Sequence, residues 1–173
     1  MLKIVLALMV AVTMLAMARL SVPTEQPKPE QVSAVLDALH EAASKSDGER
    51  YFKLFAADAV FLGTDATERW TLDEFKAFAK PYFDQGKGWT YLPRKSARHI
   101  SFSPDGSIAW FDELLDNAKY GECRGTGVVR KVDGQWKIAQ YALTIPIPNE
   151  LAGDVVAMIK AKSAAATSQP VHP

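Results

Sequence analysis

The sequence predicts an α+β domain in which helices come first and a meandering antiparallel sheet closes over them. Three observations carry that prediction. Residues 29–82 contain three segments with apolar side chains at helical spacing. Residues 91–145 contain four apolar, aromatic-rich runs divided by short turn signals. No helical pattern interrupts those runs, so no crossover helix is available to join parallel strands.

Each element has its own reason. Pro29 suits a first helical turn, where its missing N–H costs nothing. Val32, Val35, Leu36 and Leu39 then stand at i, i+3, i+4 and i+7, which predicts an amphipathic helix ending near Ser44. Ser46-Asp47-Gly48-Glu49 reads as a capping box for a shorter helix through Tyr51, Phe52, Leu54 and Phe55. Residues 59–62 are a short apolar strand, and residues 63–70 a polar loop. Thr71-Leu72-Asp73-Glu74 is a second capping box, followed by Phe75, Phe78, Ala79 and Tyr82 at helical spacing. Pro81 is expected to kink or end that helix.

Four strands are expected over residues 91–102, 107–115, 123–132 and 135–145. Ser103-Pro104-Asp105-Gly106 marks the first turn, and Asp133-Gly134 is a two-residue hairpin signal. Pro146 and Pro148 stop the last strand, because a ladder cannot run through missing N–H groups. Residues 149–162 have helical composition, with an Ala/Ser/Pro-rich frayed tail beyond them.

At 173 residues the chain suffices for one domain with one substantial core. Twenty Lys+Arg balance 20 Asp+Glu, so no basic surface advertises nucleic acid. Eight Phe, five Tyr and four Trp favour a packed core or an aromatic-lined cavity over disorder.

The N-terminus reads as an export signal rather than part of the fold. Lys3 precedes an apolar run over residues 4–18, and Ala16-Met17-Ala18 places small residues at the cleavage positions. The run is shorter than the roughly 20 residues that span a bilayer. Residues 1–18 are therefore expected to be a signal peptide, residues 19–28 a polar lead, and the protein periplasmic or secreted. Membrane association follows only if the segment stays uncleaved. Cys123 is the single cysteine, so no internal disulfide forms, and its setting predicts a small buried strand residue.

Two helices, a short strand, a helix and four antiparallel strands resemble the nuclear transport factor 2-like superfamily, and within it the SnoaL-like members. The residues that carry the resemblance are Phe61-Leu62-Gly63-Thr64-Asp65-Ala66-Thr67-Glu68-Arg69-Trp70, with the helix bearing Glu74 and Phe75. A second match runs from Arg124-Gly125-Thr126-Gly127 through Trp136-Lys137-Ile138 to Pro146-Ile147-Pro148. It covers residues 29–151, leaving 152–173 as a C-terminal helix and tail. The resemblance implies a cone-shaped curved sheet wrapped around the N-terminal helices, often paired into a homodimer through its outer face. It does not imply one activity, because isomerases, dehydratases, hydrolases, cyclases and non-catalytic binding modules share the scaffold. The carboxylate, Tyr and protonated-acid set of the steroid isomerases has no residue-by-residue match here.

Alternation puts Ile108, Trp110, Asp112 and Leu114 on one face of their strand, and Ala109, Phe111, Glu113 and Leu115 on the other. Neither face is plainly polar. The expectation is that Trp110 and Asp112 look into the cone, Trp110 as a wall and Asp112 as a general acid or base whose pKa is raised by apolar surroundings. The alternative for Asp112 is a paired carboxylate at the rim. Asp65 either guards the pocket mouth or braces its loop. Arg124 either binds a ligand carboxylate, or pairs with Asp112, or lies on the outer face. Gln140 is a neutral pocket candidate, and Tyr51 either lines the pocket or packs in the core. His40, His99 and His172 are scattered without metal-ligand spacing, so no metal is assigned and no cofactor is expected.

These readings leave three functions open. One is a domain binding a small organic ligand in the cone. Another is a cofactor-independent acid–base enzyme acting on a small hydrophobic substrate. The third is a dimeric interaction domain.

Overall fold

A computed structural model describes residues 27–167. The elements in chain order are α1 (Pro29–Ser44), α2 (Gly48–Lys53), β1 (Phe55–Leu62), β2 (Arg69–Thr71), α3 (Leu72–Phe83), β3 (Leu92–Phe102), β4 (Ile108–Asn117), β5 (Gly121–Val132), β6 (Gln135–Thr144) and α4 (Ala152–Thr167). The expected signal peptide and most of the polar lead lie outside the described residues. Among those described, no helix is long and apolar enough to cross a membrane.

The six strands form one sheet in the order β2-β1-β6-β5-β4-β3. Neighbours are antiparallel except β1 and β6, which run parallel. The expected four-strand meander is its larger part. β2 is a correction, since residues 63–70 were expected to be loop throughout. It forms because Val60, Phe61 and Leu62 offer a free edge to Thr71, Trp70 and Arg69. Irregular pairings interrupt β1, β3 and the β5–β6 ladder, and such breaks bend a sheet. The result is a curved, unclosed sheet with the helices in its hollow.

Local chemistry sets the element ends. Pro29 opens α1, whose Val32, Leu36, Leu39, Ala42 and Ala43 are buried. Truncating a side chain such as Leu36 to Ala is worth about 2–5 kcal/mol in a core of this kind. α2 is capped one residue later than expected. The Asp47 side chain accepts from the Arg50 N–H at 3.0 Å, while Ser46 takes a left-handed φ of 55°. The Ser46 hydroxyl is then free to accept from the Gly88 N–H at 2.7 Å, tying the start of α2 to the approach to β3. The Thr71–Glu74 capping box forms as expected, with the Thr71 N–H donating to Glu74 at 2.8 Å. Pro81 lies inside α3, and the helix ends two residues beyond it at Phe83. At the β5–β6 hairpin, Asp133 and Gly134 both have positive φ, 50° and 79°, as a type I′ turn requires. Cys123 is buried and free, and burial pushes its thiol pKa up. α4 stands apart: its side chains through residue 164 are exposed, except half-buried Val155.

Two rows of side chains cross the concave face. One runs Arg98, Glu113, Gly125, Leu143 over β3, β4, β5 and β6. The other runs Ile100, Phe111, Gly127, Tyr141, Phe61, Trp70 from β3 to β2. These rows place everything that follows.

Candidate functional site

The sheet's parity decides which groups reach the interior. On β4 the inward side chains are Ala109, Phe111, Glu113 and Leu115, all buried. Glu113 is therefore a carboxylate with no solvent exposure, in the middle of the hollow. Burial on that scale is tolerated only when partners replace water.

Three side chains supply that replacement. His40 of α1, itself 9% exposed, sets its Nε2 2.7 Å from Glu113 Oε1. The Tyr141 hydroxyl of β6 donates to the same oxygen at 3.1 Å. Arg98 of β3 donates its Nε–H to Glu113 Oε2 at 2.9 Å. Its Nη2 lies 2.7 Å from that oxygen, near enough to pair charges but too bent for a hydrogen bond. Arg98 Nη1 turns back to α1, donating to the Ser33 hydroxyl at 2.6 Å and to Asp37 at 2.8 Å. Lys95 then pairs with the other Asp37 oxygen at 3.0 Å. The two acids, Glu113 and Asp37, and the two bases, Arg98 and Lys95, of this chain of contacts sum to zero.

The ionisation preferences follow. Burial alone would raise the Glu113 carboxyl, but His40 and Arg98 outweigh it and hold the group below its ordinary value. Burial likewise works against Asp37, and Arg98 with Lys95 overcomes it, so Asp37 also titrates low. Arg98 is desolvated, yet Glu113 and Asp37 raise its pKa. Tyr141 is driven well above its usual value by burial and then by the Glu113 charge, so it remains a neutral donor.

Beside this network is a cavity of about 20 Å³, lined by Leu39, His40, Tyr51, Tyr141 and neighbouring apolar groups. That is room for about one water-sized atom. It shares Phe61, Trp89, Tyr91 and Leu143 with a wider cleft of about 240 Å³. The cleft is walled by Trp70, Phe75, Phe78 and Tyr120 and has Thr64 and Glu68 at its lip. Its rings are stacked rather than scattered: Phe61 and Phe75 lie 3.9 Å apart at 19°, and Trp70 and Phe78 4.6 Å apart at 22°. A still larger groove of about 520 Å³ runs outside α1, past Asp37, Glu41, Arg50 and Lys95. Its charges already pair with one another, so the aromatic cleft is the better candidate.

The candidate residues of the sequence reading fall into three groups. Tyr51 lines the inner cavity and also packs in the core, its ring 5.1–6.0 Å from Phe52, Phe55, Phe75, Phe83 and Trp89. Asp65 is exposed and accepts from the Thr67 N–H at 2.8 Å, bracing the loop whose neighbours Thr64 and Glu68 reach the cleft. Trp110, Asp112, Arg124 and Gln140 require correction. All four are exposed on the convex face, where Trp110 is 50% accessible. Trp110 pairs across β5 with Val128, which pairs with Gln140, and none of this row reaches the hollow.

The inward groups that pattern reading missed are His40, Arg98, Glu113 and Tyr141. A signal was present. Gly125 and Gly127 stand opposite Glu113 and Phe111, and a Cβ at Gly125 would collide with the Tyr141 hydroxyl. Two glycines of one parity mark the crowded face. Among the described residues, no cluster of three His, Cys, Asp or Glu side chains is placed to hold a metal.

A curved sheet over helices is the fold of a nuclear transport factor 2-like domain. Solved structures agree on that class. A candidate dehydratase of the nuclear transport factor 2-like family from Streptomyces avermitilis superposes with a TM-score of 0.58 at 16% identity, covering 69% of this chain and 96% of that one. A candidate aromatic ring hydroxylase from Novosphingobium aromaticivorans gives 0.58 at 18%, with coverages of 71% and 94%. A nuclear transport factor 2-like protein of unknown function from Pseudomonas putida gives 0.57 at 13%, with 70% and 88%. Residues 32–148 match the SnoaL-like domain, and the chain belongs to that family. No curated protein sequence matches it significantly.

Proposed function

We propose that this is an exported SnoaL-like domain that binds a small, largely apolar organic molecule in the aromatic cleft. The observation that carries the reading is the cleft itself. About 240 Å³ of space is lined by Phe61, Trp70, Phe75, Phe78, Trp89 and Tyr120, and it narrows to a polar end. Ligand sites have this form, an apolar wall with few convergent polar groups. The volume is below the usual range for drug-sized ligands, so the occupant is of one or two rings. Export rests on Lys3 and the apolar run ending at Ala18.

A second reading, cofactor-independent acid–base chemistry, is favoured by the buried His40–Glu113 pair at the narrow end of the cleft. Two similar structures are named for activities, a dehydratase and an aromatic ring hydroxylase, which is consistent with chemistry on this scaffold. Pairing into a homodimer is supported by Ile108 and Trp110, exposed on the convex sheet face.

A thermal-shift screen of one- and two-ring compounds tests the ligand reading. Stabilisation by a subset, lost in Trp70→Ala, is the expected result. A flat response across the screen, with no change in the indole signals of Trp70 or Trp89, would sink it.

A further inference from the structure

We infer that the cleft takes a small organic cation, a ring-bearing ammonium whose charge sits among the aromatic faces beside Glu68. The inference rests on the ligand reading above and adds the charge that the ligand carries.

The walls select by charge before they select by shape. Seven of the eleven residues lining the cleft are aromatic, and of these Phe78 and Tyr120 are exposed. An aromatic ring presents a negative face, so a cation within about 6 Å of a ring centroid is attracted to it. One ring of the cleft already holds such a contact. Lys119, which does not itself line the cleft, sets its Nζ 4.8 Å from the Tyr120 centroid.

Among the lining residues Glu68 alone carries a formal charge. The backbone fixes where that charge stands. The Gly63 N–H donates to the Glu68 carbonyl at 2.8 Å, closing the loop between β1 and β2. A Cβ on Gly63 would overlap Glu68 Oε2, so the bare glycine lets the carboxylate lie over a residue that is itself part of the cleft wall. The Asp65 N–H then donates to Oε2 at 3.2 Å. Among the described residues no Lys, Arg or His pairs with Glu68, and its Oε1 has no protein partner. The carboxylate is thus held in place and lacks a counter-ion.

The other polar groups of the wall belong to Thr64, Trp70, Trp89, Tyr91 and Tyr120. They are neutral and serve a neutral or a charged ligand alike, so net charge decides. An anion would meet a carboxylate and the negative ring faces together. A neutral ring would leave Glu68 unmatched. An ammonium matches both, and its carbon substituents pack on the apolar wall, whereas a small hydrated cation would have to shed its water there. The Arg98 charge is already balanced by Glu113 and Asp37, so it does not oppose a cation in the cleft.

Protein-observed NMR titration with meta-hydroxyphenyltrimethylammonium and meta-tert-butylphenol tests this. The two compounds share one shape and differ in a positive nitrogen for a carbon. The expected result is the cation binding on the order of tenfold tighter. Glu68→Gln keeps the size of the side chain and removes its charge. The cation's advantage should then fall several-fold, while meta-tert-butylphenol binds as before. Equal affinities in the wild type, tighter binding of the neutral compound, or an undiminished advantage in Glu68→Gln would overturn the inference and leave the pocket standing. If neither compound moves the Trp70 and Trp89 indole signals, the ligand reading fails and takes this one with it. Should Glu68→Gln not fold, the wild-type comparison decides alone.

Discussion

Glu113 and Arg98 face each other across β4 and β3 in direct register, and their side chains close an ion pair with no access to water from the carboxylate side. The pair is framed by His40, Tyr141 and Asp37, so it ties the first helix to three strands. Its loss is felt in both layers of the fold.

Arg98→Met therefore leaves Glu113 as a buried charge without its guanidinium partner. The expected cost is about 3–5 kcal/mol, measured by urea denaturation. Tyr141→Phe removes one donor of several and should cost about 1 kcal/mol. Comparable losses for the two variants would show that Arg98 does not compensate Glu113.

Acid should destabilise the protein through the same carboxylate. Glu113 titrates below its ordinary value of 4.5 in the folded state, and Asp37 does so as well. As pH falls past that value the unfolded chain takes up protons that the native state still refuses. The contribution is therefore complete above about pH 5 and drains away as pH drops through the folded pKa values. Melting temperature should fall below about pH 4.5, and Glu113→Gln should remove part of that slope. An unaltered slope in the variant would place the acid sensitivity elsewhere.

Gly125→Ala introduces a methyl where the Tyr141 hydroxyl stands, and 3.2 Å from Glu113 Cγ. Neither neighbour is free to retreat, since each holds the other by hydrogen bonding. A loss of about 1–3 kcal/mol is expected, as for overpacked cores. Arg124→Ala, one residue away on the convex face, should stay within about 0.5 kcal/mol of wild type. Calorimetric melting of the two variants side by side makes the comparison.

Trp110 separates the pocket from the proposed dimer. Asp112→Asn and Trp110→Glu should leave ligand affinity unchanged, because both residues point away from the cleft. Trp110→Glu should instead shift sedimentation from dimer to monomer. A wild-type protein that sediments as a monomer at all concentrations would remove the dimer proposal.

The sequence by itself determined the class of fold, the order of its elements and most of their ends. Those features rest on local physics: the periodicity of Val32, Leu36 and Leu39, the Thr71–Glu74 box, and the positive-φ turn at Asp133-Gly134. Only the tertiary structure decided which face of β4 looks inward. Alternation is symmetric between the two faces, and the usual tie-breaker, that charge points outward, is silent because each face carries one carboxylate, Asp112 or Glu113. Glu113 is admitted to the core because Arg98, Tyr141 and His40 meet it there, from positions 15, 28 and 73 residues distant. Asp112, one residue away and more plausible by its neighbour Trp110, has no such company and stays in water. A buried charge is stabilised by partners remote in the chain, so the site became visible only once the sheet had bent to bring them together.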